Sequence, residues 1–480
     1  MARTGGRGGR EALAPGARPV IFACVLCSFL TAFTGSSLNV SIPSIGADFG
    51  SPAASLGWVV SAYTICTVVL LAPLGRLADL TSRRSVLIAG LATLAAVAVA
   101  TAFAVNLPQL IALRVAQGVG ASCVFATQQA ILAQAVPPFR RGWALGLSVG
   151  AVYCGLSLGP VVGGLLTHHW GWRSIFWFIA VLGLVALTVA VVRLPREGRH
   201  RAGDTEAAGL WGRLDVAGAA IYAAAGFGLC YGMMTVPGRV LGYVALAAGL
   251  ALLGVFVWWE HRAVSPLMAL SLFRAGPNFA LSNLSALLSY AATFAVSYLL
   301  SIYLQQVKGL GADVSGLVLV VAPACQAVVA PLAGRWSDRR SPFALASLGM
   351  CLCTVGLVAL ALIGKETPLA WVLACLVVTG CGFGLFSTPN TNAIMSLAQP
   401  RDFGVVVAFV ATMRNLGMVV SMAIITIIVS QRFGGAAIAE APSGLVLGTM
   451  RIAFWVFAGI CLAGVVTSLQ RRRPSPSSRA

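Results

Sequence analysis

Between residues 20 and 470 the chain is a succession of apolar stretches, separated by short segments rich in Arg, Gly and Pro. Each stretch is close to the roughly 20 residues that an α-helix needs to cross the hydrocarbon core of a bilayer. No other feature constrains the fold as much. A backbone in lipid must close its own hydrogen bonds, which only helices and closed barrels do, and the alternating ten-residue pattern of barrel strands does not occur. The expected class is an all-α membrane protein. Composition agrees, because 9% charged and 59% hydrophobic residues contrast with about 25% charged in a soluble domain. So few charges could not cover a 480-residue fold in water.

Fourteen spans can be read, at 20–45, 55–75, 85–105, 108–135, 141–166, 173–193, 214–235, 239–259, 278–305, 312–333, 343–363, 369–394, 404–430 and 449–470. An even count puts both termini on one side, and the positive-inside rule makes that side cytoplasmic. Most of the 32 Lys/Arg then fall in inner segments, including Arg83/Arg84, Arg140/Arg141, 193–213, Arg339/Arg340 and Arg471 to Arg473. Lys308 and Lys365 fall outside. The net charge of +19 is thus a topology signal in short clusters, and no nucleic-acid partner is expected. The 12 cysteines are scattered through apolar runs, Cys24 and Cys27 in the first, and read as packing residues. The Arg/Gly-rich residues 1–19 flow into a full-length helix, so no cleavable targeting segment is expected.

An internal repeat divides the chain. Ala72-Pro73-Leu74-Gly75-Arg76-Leu77-Ala78-Asp79 matches Ala330-Pro331-Leu332-Ala333-Gly334-Arg335-Trp336-Ser337-Asp338, and an Arg pair follows each. Gln129-Ala130-Ile131 matches Asn392-Ala393-Ile394 at nearly the same separation. That separation equals eight helices. The expected organisation is a tail (1–19), a six-helix bundle (20–193), an inner linker (194–213), two additional helices (214–259), a second six-helix bundle (278–470) and a tail (471–480). Duplicated halves with a solute site at their interface are a transporter architecture.

At these residues the chain resembles the major facilitator superfamily, most closely its fourteen-helix drug:proton antiporter branch, which includes tetracycline and multidrug efflux proteins. Gly75-Arg76-Leu77-Ala78-Asp79-Leu80-Thr81-Ser82-Arg83-Arg84 resembles the loop signature after helix 2, with Ser82 where a second glycine is usual. Arg114-Val115-Ala116-Gln117-Gly118-Val119-Gly120 resembles the helix 4 signature. Gly155-Leu156-Ser157-Leu158-Gly159-Pro160-Val161-Val162-Gly163-Gly164 resembles the antiporter signature of helix 5. Leu38-Asn39-Val40-Ser41-Ile42-Pro43 resembles the end of helix 1 in tetracycline efflux proteins. The resemblance implies that Gly75, Asp79, Arg83, Arg84 and the repeat-related Asp338 govern how the halves rock, and it associates the helix 5 signature with antiport. A solvated loop is the competing reading for Asp79 and Arg83. Gly155, Gly159 and Gly163 also form a side-chain-free stripe for close helix packing, with Pro160 permitting a bend.

Arg114 and Arg414 are the charges placed well inside helices. A charge at bilayer depth costs at least about 2.5–3.5 kcal/mol, so it faces protein or water and is functional by default; snorkelling is the alternative. Helix 9 carries Ser285, Ser289, Thr293, Ser297 and Ser301 at four-residue steps, with Tyr290 and Tyr298 alongside. Helix 1 carries Thr34, Ser37 and Ser41 near one face. Gln128, Gln129, Asn390 and Asn392 add amides in repeat-related helices. These groups line either a wetted solute path or helix contacts. The outer His168/His169 pair reads as a solvated loop.

All 13 acidic residues lie in loops or near expected helix ends. Thr34 stands where many members of the resembled family carry an aspartate, so a membrane-central carboxylate for proton coupling is missing. Neutral, zwitterionic or anionic solutes are expected over quaternary cations. The expected function is efflux of small drug-like or metabolite solutes by alternating access, linked to protons, in the inner or plasma membrane by a monomer. An uptake carrier or uncoupled facilitator is the alternative. With no nucleophile–base pair or metal cluster legible, neither enzymatic activity nor a cofactor is expected.

Overall fold

The computed structural model describes residues 17–38, 41–50, 53–195, 215–235, 240–263, 277–398, 403–433 and 442–471. Its described residues contain helices and no strands. The principal helices are α1 (Ala17–Ser36), α2 (Ala53–Leu80), α3 (Arg83–Ala102), α4 (Leu107–Ala135), α5 (Arg141–Trp170), α6 (Arg173–Arg193) and α7 (Val216–Thr235). They continue as α8 (Val240–Glu260), α9 (Pro277–Thr293, prolonged by Val296–Ile302), α10 (Ala312–Leu319, then Val321–Arg339), α11 (Pro342–Ala361), α12 (Leu369–Ser396), α13 (Phe403–Phe433) and α14 (Ser443–Leu469). Thirteen are long and apolar enough to cross a membrane. The remaining one, α7, is apolar over the shorter Val216–Gly232 and packs along α8.

The duplication read from sequence is visible as a repeated packing scheme. In the first half α2 packs on α4, α3 on α4, α1 on α5 and α3 on α6. Eight helices later α10 packs on α12, α11 on α12, α9 on α13 and α11 on α14. Two large apolar cores result, one centred on Phe33, Leu91 and Phe176, the other on Tyr303, Met350 and Phe454. Even the closest contacts recur. A Cβ on Gly90 would lie 2.8 Å from the Gly120 carbonyl, and one on Gly349 would lie 2.6 Å from that of Gly382. A Cβ on Gly155 of α5 would meet the Phe29 carbonyl of α1 at 2.6 Å, and one on Gly417 of α13 would meet the Leu287 carbonyl of α9 at 2.5 Å. Lipid gives helices no hydrophobic reason to associate, so close backbone approach and dispersion must do so.

Several expected boundaries need correction. The first span ends at Ser36, and a separate short helix, Ile42–Phe49, follows it instead of continuing to 45. The segment from Gly75 to Arg84 is not a loop. Helix α2 runs to Leu80, Thr81 and Ser82 alone link it to α3, and the Ser82 hydroxyl accepts from the Ser85 amide at 3.2 Å as an N-cap. Helix α9 breaks at Phe294–Ala295 and ends in a π-turn at Tyr303–Val307. His168 and His169 belong to the last turn of α5, which ends at Gly171 with φ of 78°. The tail does not begin at Arg471, which is buried against the second half.

The glycine contacts make a direct prediction. Gly155→Val should lower the apparent Tm of detergent-purified protein by several degrees and reduce its folded yield. Gly459→Ala, where an added Cβ meets nothing within 4 Å, should be neutral or slightly stabilising because alanine is the better helix former. Equal Tm values for the two variants would refute the packing assignment.

Candidate functional site

The two halves meet along two helix pairs, α5 with α10 and its repeat counterpart α13 with α2. On the first pair the seam is closed where the start of α5 meets the end of α10. A Cβ on Gly146 would lie 2.6 Å from the Ala330 carbonyl, and Gly334 stacks directly on the Gly142 backbone. Asp338 completes this seal. Its carboxylate accepts from the backbone N–H of Gly142 at 2.7 Å and of Trp143 at 2.9 Å. These are unpaired donors of the first turn of α5, where the helix dipole is positive. A residue of the second half therefore caps a helix of the first. A gating role for Asp338 is an expectation from the family resemblance; the structure shows this contact.

The residues expected to act with it occupy related positions. Asp79 and Arg83 form an ion pair at 2.6 Å, with side chains almost fully buried at 4% and 7% exposure. Burial strengthens such a pair well beyond a surface bridge, and it joins the end of α2 to the start of α3. Arg84 turns the other way and donates to the carbonyls of Val191 at 2.8 Å and Leu194 at 3.1 Å, capping α6. Gly75 is buried in α2. Gly159 and Gly163 abut Ser36 and Ser37 of α1, Pro160 lies within α5, and Gly164 is half-exposed. That signature thus packs α5 on α1 inside the first half, while the inner end of α5 makes the seam.

Above the seal lies a cavity between the halves. Its polar wall is Gln129 of α4, Tyr290 of α9, Ser387 and Asn390 of α12 and Arg414 of α13. Phe125 forms an apolar wall, its ring 5.3 Å from the Arg414 guanidinium carbon. The cavity measures about 30 Å³, room for a water or two, so a larger solute must widen it on entering. Tyr153 of α5 and Tyr290 both pack edge-on against Phe383. The floor is held from below. Asn390 donates to the Ser282 carbonyl at 3.1 Å and accepts from Arg471 at 2.6 Å. Arg414 makes no ion pair among the described residues, and no acidic side chain lines the cavity. The cavity is amide-, hydroxyl- and ring-walled with positive potential.

Of the expected path residues, Gln129, Tyr290, Asn390 and Arg414 come together here. Arg114 is elsewhere. It is fully buried inside the first half, donates to the carbonyl of Val59 at 2.9 Å and to Gln117 at 2.8 Å, and lies 4.5 Å from the Tyr63 ring. Thr34 contributes its carbonyl to Arg114 at 3.5 Å, while its hydroxyl bonds back to Leu30. Ser37 is buried without a hydroxyl partner. Gln128 accepts from Ser28 at 3.1 Å within the same bundle. Asn39 lies outside the described residues. The α9 hydroxyls are engaged elsewhere: Ser285 pairs with Thr467 of α14 at 2.9 Å, Thr293 bonds back to the Ser289 carbonyl, and the helix breaks before Ser297. Ser289 is buried and does not reach the cavity. Asn392 donates to Ser337 of α10 at 3.0 Å, supporting the gate. Sequence reasoning missed Tyr153, Ser387 and Arg471; a polar group on an otherwise apolar helix was the available signal for the first two.

At the opposite end of α5, Asp48 pairs with Arg173 at 2.6 Å and accepts from Trp172 at 3.2 Å. Hydrogen bonds from Arg173, then Trp172, hold its carboxyl below the usual carboxylate range. The pair is present above that range and lost as pH falls through the lowered value.

Comparison with known proteins adds three findings. The family model described as Major Facilitator Superfamily matches residues 24–422 and 283–480. Among curated relatives, the riboflavin transporter RibZ of Clostridioides difficile is 28% identical over 94% of this chain and 96% of its own length. The multidrug resistance protein Stp of Mycobacterium tuberculosis is 30% identical over 81% of this chain and 71% of its own. The tetracenomycin C resistance and export protein of Streptomyces glaucescens is 26% identical over 87% and 76%. The solved structure of human MFSD10 superposes with a TM-score of 0.63 at 16% identity, covering 95% of this chain and all of that one.

The gate predicts a measurable opening. Spin labels placed by a non-canonical amino acid at the exposed positions Phe139 and Arg340 should show one short distance in the parent protein. In Asp338→Ala, which strands two α5 amides, a longer population should appear or grow severalfold. An unchanged distance distribution would show that this carboxylate does not hold the inner seam.

Proposed function

Because this chain belongs to the Major Facilitator Superfamily, and is thus a multi-pass membrane transporter of small solutes and not an enzyme, we propose that it exports uncharged, zwitterionic or anionic organic solutes by alternating access coupled to protons. The observation that carries this reading is the cavity between the halves, where Arg414 stands without a carboxylate among amides, hydroxyls and aromatic rings. A guanidinium there attracts an anionic or carbonyl-bearing group and repels a cation. Phe125, Tyr290 and Phe386 offer ring faces to a planar solute. Export is favoured by the relatives whose names state resistance or export. Transport of riboflavin by one relative keeps an uptake carrier or uncoupled facilitator of neutral or anionic solutes as the second reading.

With no acid in the cavity, the proton has to act at the gates. A proton on Asp338 cancels the charge that holds two N–H donors of α5, and opening of the inner seam becomes easier. The proton then links to conformation without touching the solute, which satisfies the requirement that a ligand bind the two states unequally. The two six-helix halves, joined through an inner linker and carrying two additional helices, are taken to rock about this cavity as a monomer in the cell membrane with both termini cytoplasmic.

Purified protein in liposomes tests the reading. Within a panel of planar solutes of graded charge, neutral and anionic members should move and quaternary analogues should not, and an imposed pH gradient should drive accumulation. Arg414→Ala should reduce flux about ten- to a hundredfold, the effect of losing a charged hydrogen-bond donor worth about 1.5–3 kcal/mol. Asp338→Asn should retain flux down a solute gradient but lose its response to the pH gradient. Equal or faster transport of a quaternary cation would overturn the solute class, and gradient-independent accumulation would overturn the coupling.

A further inference from the structure

A second cavity lies outside the solute path, between the additional helices and the seam of the two halves. It measures about 240 Å³ and is walled by α2, α7, α8 and α13. Three walls are helical stripes of i, i+3/4 and i+7 residues: Tyr222 to Leu229 on α7, Leu253 to Glu260 on α8, and Phe409 to Leu416 on α13. Each stripe is two turns long, roughly 10 Å. The gap exists because α8 packs chiefly on α7, while α7 itself leans on α2 and α13.

The polar groups at its edge are already used. The Tyr222 hydroxyl hydrogen-bonds to the Thr412 hydroxyl at 2.7 Å, and Glu260, at the end of α8, has an interaction of its own. What remains facing the space is carbon from Val68, Leu229, Leu253, Phe256, Met413 and their neighbours. Water held there would lack the two to four polar partners that a buried water needs. Left empty, the lining would forfeit its dispersion contacts. An apolar protein cavity of about 150 Å³ binds benzene, so this one accepts a larger hydrocarbon. Helices α7 and α8 present apolar side chains outward, with Phe227, Leu250, Val257 and Trp258 exposed, so the medium around the cavity is lipid.

We propose that this cavity is a binding site for one acyl chain of a membrane lipid, seated between the additional helix pair and the α2–α13 seam. The chain supplies the packing that α8 does not make with α13. It also gives the additional helices a role, since they and the seam form the two sides of the cleft. Because α2 and α13 belong to opposite halves, the cleft changes shape whenever the halves move.

The test uses the full-length protein in nanodiscs of phosphatidylglycerol bearing a diazirine in one acyl chain. After irradiation, mass spectrometry of peptides should place adducts on Leu253, Phe256 and Met413. Their yield should exceed that at the lipid-exposed Trp177 and Leu184 of α6 by at least severalfold. Two filling variants, Leu253→Trp and Gly226→Leu, should each reduce the pocket adducts at least fivefold while leaving the α6 adducts unchanged. An added Cβ at Gly226 meets nothing closer than Val69 at 3.5 Å, and retained monodispersity and Tm confirm that a variant is folded. Pocket yields no higher than those on α6, or yields insensitive to both fillings, would overturn the site. So would displacement of the adducts by a transported solute in the parent protein, which would assign the cleft to cargo.

Discussion

Close approach of helix backbones at the inner end of α5 and α10 is the contact on which the arrangement of this protein depends. Lipid rewards helices for existing but not for associating. Association therefore needs places where carbonyls and small residues touch. At Gly142, Gly146 and Gly334 the two halves approach until no side chain fits between them, and Asp338 converts that contact into a polar latch on the N-terminus of α5. The latch rests on one carboxylate, which accepts from two backbone donors of α5. A seam of interdigitated leucines would be neither so specific nor so easily switched.

The polar interior follows from the same economy. Arg114, Arg414 and Arg471 are enclosed among neutral partners: carbonyls, amides, hydroxyls and rings. Each bundle thus carries positive charge inward without a paired acid among the described residues. Arg114 is surrounded within the first half and is a structural counterpart, not a wall, of the central cavity. Arg414 opens onto that cavity beside Phe125, on a helix that also packs on α2 at the seam. A solute that engages Arg414 therefore touches an element shared by both halves.

Much of this was legible in the chain, and the parts that were not have identifiable causes. Run length and loop arginines revealed the helices, and the Asp79 and Asp338 matches revealed the duplication, because helix ends in lipid require recognisable residues. Gln129, Asn390 and Arg414 stood out as polar groups at bilayer depth. Tyr153 and Ser387 carry a weaker signal, that of hydroxyls on largely apolar helices. The hydroxyls of α9 read as one stripe, but a four-residue step drifts around a 3.6-residue helix; Ser285 meets α14, while Tyr290, on a neighbouring face, lines the cavity. Arg471 looked like a tail residue within a basic run. Nothing local signals that it turns back onto Asn390, because the two residues are 81 positions apart in the chain.

Accessibility of the cavity from each side of the membrane tests the account most directly. A cysteine introduced at Ala411, which lines the cavity beside Arg414, would be probed in oriented vesicles with an impermeant thiol reagent applied to one face at a time. The account predicts modification from either face, inner reactivity rising when Asp338 is neutralised, and protection from both faces by a transported solute. Modification from a single face under every condition, while transport continues, would contradict it.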